Sequence, residues 1–256
     1  MHMSKIKLNK IDTAPPEWID KKDIKKQNEE LIAQIADLQT LMFAENKHSV
    51  LIVLQWLDAS WKDGVIKHIC QWLNPQWIHV VWFKQPTQEE QDHDFLWRIH
   101  KHVPDRGTIT IFNRSHYEDI IMPLVHKTHP KSQIEKRYQH INNFEQMLED
   151  EWITILKFYL HVGEEAQLDR LKERMTDPKK MRKYNEWDRT KREARKDTIE
   201  WLESVINECD VIPRHIIPSD ENRYKVNQIA KIIVKKLTKL DMKWPQLVTT
   251  NTESED

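Results

Sequence analysis

The sequence predicts an α/β protein, with three layers (α/β/α) built around a parallel sheet of about five strands. The first observation behind this prediction is the order of the segments. Short apolar runs alternate with longer charged stretches whose apolar residues recur at helical spacing. The second is that the apolar runs are nearly continuous, as in strands buried on both faces. Strands that alternate with helices in this way predict a parallel sheet covered by helices on each side.

The predicted elements follow each other regularly along the chain. Residues 1–20 are polar, contain Pro15-Pro16 and are expected to form a flexible arm. Residues 21–46 place apolar side chains at helical spacing and predict an amphipathic helix. Strands are predicted at 49–55, 78–83, 107–113, 152–161 and 211–218, and further helices at 62–73, 87–102, 132–150, 164–174, 186–209 and 222–237. We therefore expect one folded domain over 21–240 and a disordered tail over 241–256.

Composition excludes several classes of protein. The net charge is −1, with 40 Lys and Arg against 41 Asp and Glu, which argues against a nucleic-acid binder. The two cysteines, Cys70 and Cys209, are far apart and favour neither a disulfide nor a metal site, as in a reducing cytoplasm. No signal sequence is recognisable, and no apolar run approaches the ~20 residues of a membrane span. We expect a cytoplasmic protein that does not interact with membranes.

A phosphate-binding loop is indicated directly after the first strand. Residues 51–64 read LIVLQWLDASWKDG, which gives a buried strand, a short turn, a lysine and the start of a helix. In this layout, backbone N–H groups and a lysine bind phosphates. The helix dipole disfavours Lys62 at a helix start unless an anion shares the site, so we expect it to bind phosphate. The alternative is a surface lysine.

A carboxylate inside the same loop points to a metal ion. Asp58 would lie among phosphates, where its negative charge requires a cation. We expect Asp58 to bind or order Mg²⁺, or to orient the attacking phosphate oxygen. The alternative is an aspartate that only forms the turn.

The end of the third strand carries further candidates, because the carboxyl ends of parallel strands meet at one edge. Asn113 ends this strand, and Arg114 follows where a guanidinium can bind phosphate through two hydrogen bonds. Glu118 lies one turn further. The alternative to a functional role is that it is only a solvated residue of the helix. Cations expected around the same edge would suit a long anionic chain, although any charge-rich protein offers such residues. They are Lys67, Lys84, Arg98 and Lys101.

A strongly charged segment follows the fourth strand. Residues 171–195 alternate basic and acidic side chains around a loop signal, and Arg174, Lys179 and Lys180 lie near that loop. A lid over about 163–195 that closes on phosphates has this composition. A solvated helical hairpin has it too, so both interpretations stay open.

With these motifs in view, the chain resembles the polyphosphate kinase 2 family from about residue 30 to 238. The resemblance is carried by six short motifs that together are highly specific. They are LQxLDASxKDG at 54–64, NPQ at 74–76, FKxPT at 83–87, DHDFLWR at 92–98, IFNRSxYE at 111–118 and DPKK at 177–180.

The resemblance implies a P-loop kinase fold with a helical lid and Mg²⁺-dependent phosphoryl transfer between inorganic polyphosphate and nucleotides. Asn113 together with Glu118 resembles the subgroup that phosphorylates both nucleoside mono- and diphosphates, so AMP, ADP, ATP and GDP are the implied nucleotides. A homo-oligomer is also expected. The catalytic set is Asp58, Lys62, Arg114, Glu118 and Arg174, with Asp58 on the metal. The set that binds nucleotide and polyphosphate is Ser60, Asp63, Gly64, Lys67, Lys84, Arg98, Asn113, Lys179 and Lys180.

The chain departs from the family pattern in one systematic way. It has 3 glycines and 11 tryptophans. Tryptophan stands where glycine is expected at 56, 61, 72, 77, 82, 152 and 187, and arginine stands where members often have tryptophan at 182, 214 and 223. We expect Trp61 to fill the phosphate cavity or to force the loop open, since a strained non-glycine conformation costs about 1–3 kcal/mol.

Two other functions therefore stay open beside the phosphotransferase. One is a catalytically impaired relative that only binds nucleotide or polyphosphate, which Trp56 and Trp61 favour. The other is a P-loop kinase with a small acceptor, which the cations and the motif set disfavour.

Overall fold

The computed structural model describes residues 5–57, 60–177 and 195–246. Five strands and nine α-helices lie in these residues. The strands are β1 (Ser49–Trp56), β2 (Ile78–Trp82), β3 (Ile109–Asn113), β4 (Ile153–His161) and β5 (Arg214–Pro218). The helices are α1 (Lys21–Glu45), α2 (Lys62–Ile69), α3 (Gln88–Gln91), α4 (Trp97–His100), α5 (Glu118–His126), α6 (Lys131–Glu151), α7 (Glu164–Thr176), α8 (Arg195–Glu208) and α9 (Asn222–Thr238).

The five strands form one parallel sheet in the order β2-β3-β1-β4-β5. The predicted α/β class and the number of strands are confirmed. The three inner strands are almost completely buried: every residue of β3 and β4 is buried, and so is every residue of β1 except Trp56. Strands covered on both faces need apolar residues at nearly every position, which explains the continuous apolar runs in the sequence.

Successive residues of β1 supply two separate cores, because side chains alternate across a strand. Val50, Ile52 and Leu54 pack with α1, α2 and α9 on one face. Leu51 and Val53 pack with α5, α6 and α8 on the other. The layers are therefore α/β/α, as expected. No helix in the described part of the chain is long and apolar enough to cross a membrane.

The segment expected to be one helix over 87–102 contains two short helices instead, so that prediction was wrong. Thr87 and Glu90 form a capping box that starts α3. The side chain of Asp94 then accepts hydrogen bonds from the backbone N–H groups of Leu96 and Trp97, which starts α4. Helix starts at Gln88 and Trp97, only nine residues apart, leave no room for a continuous helix. Helix α5 was not predicted; Pro123 lies inside it.

The described part of the N-terminal arm, residues 5–20, is hydrogen-bonded to the domain. Leu8 is buried, and its backbone N–H donates to Glu203 of α8. His161, at the end of β4, contacts the carbonyl oxygens of Leu8 and Ile11. Thr13 donates to Asp220, which follows β5. Because each contact reaches a strand end or α8, the arm adds a layer beside the carboxyl edge of the sheet. The expected domain boundaries stay a prediction.

A buried ionic cluster lies between α6 and β4. The carboxylate of Glu145 accepts hydrogen bonds from Lys157 Nζ at 2.6 Å and from the hydroxyl of Tyr117, and it lies 3.1 Å from His116 Nε2. Glu145 and Lys157 are 1% and 0% exposed. Burial alone would raise the pKa of Glu145, but the His116 hydrogen bond and the Lys157 charge lower it to about 2. The carboxylate therefore stays ionised inside the core.

Replacing Glu145 by Gln should destabilise the domain by about 3–5 kcal/mol, because the Lys157 ammonium stays buried without its counter-charge. Urea unfolding measures this, with Glu135→Gln on the exposed face of α6 as the control. Since the pKa of Glu145 is lowered from 4.5 to about 2, its contribution to stability is complete above pH 4.5 and is lost as the pH falls towards 2. An unchanged unfolding midpoint would refute the role of this cluster.

Candidate active site

The two segments that carry the predicted site residues leave the sheet side by side. β1 and β3 are neighbours, and Leu54 is paired with Asn113 in their register. Neighbouring strands lie ~4.8 Å apart, so the loop after β1 and the turn after β3 start close together. The prediction that these strand ends share one edge is therefore confirmed by the topology.

The loop after β1 leads into α2 at its positive end. Lys62 is the first residue of α2, and its Nζ lies 2.6 Å from Asp63 Oδ1 and 4.7 Å from the ring centre of Trp56. Ser60 is buried. The first N–H groups of a helix have no partner inside the helix, so this end favours an anion. Asp58, the predicted metal ligand, lies outside the described residues.

Trp61 adopts the left-handed conformation at the start of α2, with φ of +65°. Glycine takes this conformation without strain, whereas in other residues the Cβ approaches the backbone too closely and makes the conformation unfavourable. The indole packs on the first turn of α2. A Cβ added to Gly64 would lie 2.2 Å from the ring, and the ring centre is 5.3 Å from that of His68. The tryptophan thus lies against its own helix, and this contact requires glycine at 64.

The turn after β3 presents Arg114 in a second left-handed conformation, with φ of +66°. The two residues after Ser115 anchor the turn from below, because His116 and Tyr117 are fully buried and both contact Glu145. Glu118 then begins α5. The ionic cluster beneath the sheet edge therefore fixes the backbone that carries Arg114.

A cavity of about 670 Å³ opens between the ends of β2 and β3 and helices α3 and α5. We call it the strand-end cavity. Three predicted residues, Lys84, Arg114 and Glu118, line it, and so does Arg98. Its volume lies within the usual range for small-molecule sites. The cations at its mouth and walls favour an anionic ligand.

Arg98 is already neutralised by protein carboxylates. Its guanidinium is 5% exposed, donates to Asp119 at 3.1 Å and lies 3.6 Å from Glu90. It also donates to the carbonyl of Lys84 at 3.0 Å. Burial raises the pKa of Asp119, although Arg98 and Arg137 oppose this. Arg98 therefore shapes the cavity wall, and Lys84, which is exposed beside Trp82, is the more accessible cation.

The other predicted residues are spread more widely. Lys67 is exposed in the last turn of α2, roughly 7 Å along the helix axis from Lys62. Arg174 lies on α7, which follows β4, and its side chain is outside the described structure. Lys179 and Lys180 lie outside the described residues altogether, as does most of the expected lid. Their roles stay predictions.

Sequence reasoning missed four charged residues that organise the site. Asp119 and Arg137 form the cavity wall with Arg98, Glu145 supports the turn after β3, and Lys225 lies beneath the loop after β1. Asp119 directly follows the motif that ends at Glu118 and could have been suspected from it. The other three lie on helices far away in sequence, where nothing distinguishes them from surface charges.

A parallel sheet with a lysine-bearing loop at its carboxyl edge defines an α/β phosphate-binding protein of the P-loop kinase class. The family model of polyphosphate kinase 2 matches residues 18–245. The chain belongs to the polyphosphate kinase 2 family, and the resemblance seen in the motifs is confirmed.

Individual relatives agree with this assignment. An AMP/ADP-polyphosphate phosphotransferase of Meiothermus ruber is 40% identical over 220 residues, which is 85% of this chain and 82% of that protein. An ADP-polyphosphate phosphotransferase of Rhodopseudomonas palustris is 34% identical over 229 residues, 84% of this chain and 79% of that protein. The crystal structure of polyphosphate kinase 2 from Arthrobacter aurescens superposes with a TM-score of 0.92 at 31% identity, covering 96% of this chain and 90% of that one.

Replacing both Trp56 and Trp61 by glycine should raise the rate of phosphoryl transfer by about 10²-fold or more, the effect of restoring well-oriented donors to a transition state. Glycine adopts the conformation at 61 without strain, and removing the Trp56 ring releases Lys62 from its cation–π contact. The rate is measured as ATP formed from ADP and polyphosphate.

The control for this pair is Trp72→Gly, because Trp72 is half exposed and lies in the turn after α2, away from the loop. It should leave the rate unchanged. Equal rates for the double variant and the unaltered chain, both folded, would show that the loop binds phosphate with tryptophan in place.

Proposed function

We propose that this protein transfers phosphoryl groups between inorganic polyphosphate and the nucleotides AMP and ADP, or GDP, and so makes nucleoside di- and triphosphates. The single observation that carries the proposal is the shared edge of β1 and β3. There the loop that leads to Lys62 and the turn that carries Arg114, a residue of the strand-end cavity, leave two paired strands. The names of the relatives support both substrates.

The chemistry of such a transfer is positioning and charge neutralisation, with no covalent intermediate on the protein required. Lys62 and Arg114 hold the transferred phosphoryl group between donor and acceptor. The strand-end cavity receives the nucleotide, with Glu118 at its α5 side. Asp63, whose carboxylate neutralises Lys62 at 2.6 Å, gives way to phosphate when the substrate arrives. The residues expected in the lid, Arg174 with Lys179 and Lys180, add positive charge that binds the phosphates.

Mg²⁺ belongs to the same proposal. Ser60 Oγ, in the loop after β1, and Asn113 Oδ1, at the end of β3, are buried and have no hydrogen-bond partner among the described residues. Oxygen atoms of this kind fit Mg²⁺, which keeps several ligands from water and phosphates and takes one or two from protein carboxylates. Asp58 with these two oxygens would hold the ion. When bound, Mg²⁺ neutralises charge on the phosphate oxygens.

The proposed enzyme is a homo-oligomer in the cytoplasm, and it acts on free nucleotides rather than on nucleic acid. Edge strand β2 exposes Val80 and Trp82, at 47% and 59%, which is apolar surface of the kind that subunits cover. Cys70 and Cys209 are free thiols. Sedimentation measures the oligomeric state.

The experiment that tests the function is Lys62→Ala. This change should lower ATP formation from ADP and polyphosphate by about 10²-fold or more, because the phosphoryl group loses a charge that the loop supplies. The thermal unfolding midpoint should hardly move, since among the described residues the ammonium contacts Asp63 and the ring of Trp56 and is not buried in the core. Lys136→Ala, an exposed lysine of α6, is the control. A well-folded Lys62→Ala protein with a near-normal rate would contradict the assignment of the phosphate loop.

Replacing Glu118 by Ala should reduce kcat/KM for AMP more than for ADP. Glu118 lies at the start of α5 beside Arg114, where the shorter acceptor needs positioning that a second phosphate otherwise provides. Initial rates with each acceptor at fixed polyphosphate give the ratio. If the AMP-to-ADP ratio is the same in both proteins, Glu118 does not select the acceptor.

A further inference from the structure

The N-terminal arm is fastened to α8 before it reaches the carboxyl edge of the sheet. The backbone N–H of Ile6 donates to Asn207 Oδ1 at 2.7 Å, and Asn207 Nδ2 donates back to the carbonyl of Ile6 at 3.0 Å. The backbone N–H of Leu8 donates to Glu203 at 2.8 Å, and the Leu8 side chain is only 1% exposed. Satisfied backbone groups and a buried apolar side chain hold this part of the arm in one path.

Beyond α8, the arm crosses the ends of two strands. His161 ends β4, and its Nε2 lies 3.0 Å from the carbonyl oxygen of Leu8 and 3.2 Å from that of Ile11. The hydroxyl of Thr13 then donates to Asp220 Oδ2 at 2.6 Å, and the backbone N–H of Asp220 donates to the carbonyl of Thr13 at 3.0 Å. The arm and the connection after β5 are therefore joined by two hydrogen bonds that run in opposite directions.

The same aspartate also holds the start of α7. Asp220 Oδ1 accepts the backbone N–H of Gly163, the N-cap of α7, at 2.7 Å. One carboxylate thus binds the arm through one oxygen and α7 through the other, and we call Thr13, Asp220 and Gly163 the arm clasp. A Cβ added to Gly163 would lie 2.8 Å from Thr13 Oγ1, so this close approach requires glycine. Negative charge is favourable at this end of a helix.

A second contact holds α7 two turns further along. Arg170 donates from Nη2 to the carbonyls of Ser219 at 2.9 Å and of Asp220 at 2.6 Å. Gly163 and Arg170 are two helical turns apart and lie on the same side of α7. The connection after β5 therefore holds one side of this helix, and the arm clasp fixes its first turn.

The direction of α7 decides where its far end lies. Arg174, an expected catalytic residue, belongs to α7 and lies ~16 Å along the helix axis from Gly163, so a tilt of about 4° about the first turn moves residue 174 by ~1 Å. A misplacement of about 1 Å at a group that orients substrate lowers a rate by about 10²-fold. Small changes at the clasp are therefore amplified at the other end of the helix.

We propose that Thr13 and Asp220 are positioning residues for phosphoryl transfer, because through the arm clasp the N-terminal arm fixes the direction of α7 and hence the position of Arg174. The proposal rests on the proposed function, in which Arg174 adds positive charge that binds the phosphates. The arm is then part of the catalytic apparatus, although it contacts no substrate.

Thr13→Val tests the clasp, because it nearly keeps the shape of the side chain and removes the hydroxyl donor. The amides of residues 163–167 should exchange hydrogen about tenfold faster, since a hydrogen bond to a carboxylate is lost, while exchange in α6 stays unchanged. Thr13→Ser keeps the hydroxyl and should match wild type. Thr40→Val, which removes a hydroxyl from the exposed face of α1, should also match it.

A double-mutant cycle with Arg174→Ala separates positioning from a loss of stability. At saturating ADP, Thr13→Val should lower kcat/KM for polyphosphate by about threefold to tenfold in the wild-type background. In the Arg174→Ala background it should have almost no further effect, because the residue that the clasp positions has been removed. The four proteins are compared well below their unfolding midpoints.

An equal loss of rate in both backgrounds would overturn the proposal, since the clasp would then act on stability alone. Unchanged exchange at residues 163–167 in Thr13→Val, or a normal rate for Arg174→Ala, would overturn it as well. If Thr13→Val does not fold, Thr13→Ala takes its place in both measurements, because it removes the hydroxyl and adds nothing beside Gly163. A wild-type protein that makes no ATP from ADP and polyphosphate would instead refute the proposed function.

Discussion

The architecture of the site depends on the contacts that the buried carboxylate of Glu145 makes. It lies on α6 and binds Lys157 of β4, and it contacts His116 and Tyr117 of the turn after β3. Three elements thus meet at one buried charge. Burying an unpaired carboxylate would be very costly, so the turn after β3 has little freedom to move while the core is intact. The left-handed backbone of Arg114 is sustained by this anchoring.

The opposite face of the sheet carries a second buried charge with a comparable task. Lys225 lies on α9 and binds backbone carbonyls at the ends of β1 and β5, whereas Glu145 binds side chains beneath β3 and β4. Both side chains act on segments that leave the carboxyl edge of the sheet. The carboxyl edge of the sheet is therefore held from below on both sides, which leaves its exposed surface to the cations that are proposed to bind phosphate. Stability and function share the same few buried polar groups.

Much of the fold could be predicted from the sequence, because continuous apolar runs identify central strands and their ends identify the functional edge. Lys62, Arg114 and Glu118 were proposed as site residues in this way, since they lie in the segments that follow β1 and β3. Contacts between residues that are distant in sequence could not be predicted. Asp119 and Glu90 neutralise Arg98, and the expected role of Arg98 in binding substrate stays a prediction. The anchoring residues Glu145 and Lys225 lie on amphipathic helices, and neither spacing nor composition reveals that a charged side chain faces inward.

The contact between Trp61 and Gly64 has a consequence for how the sequence of this loop can evolve. Any side chain at 64 would meet the indole within 2.2–2.3 Å, so the two positions are not independent. With the indole of Trp61 in this position, a side chain at 64 would have to displace it. With glycine at 61, the space above residue 64 opens and small residues fit there. A path that diversifies position 64 must therefore first replace or move the tryptophan, so this steric contact favours one order of the two substitutions.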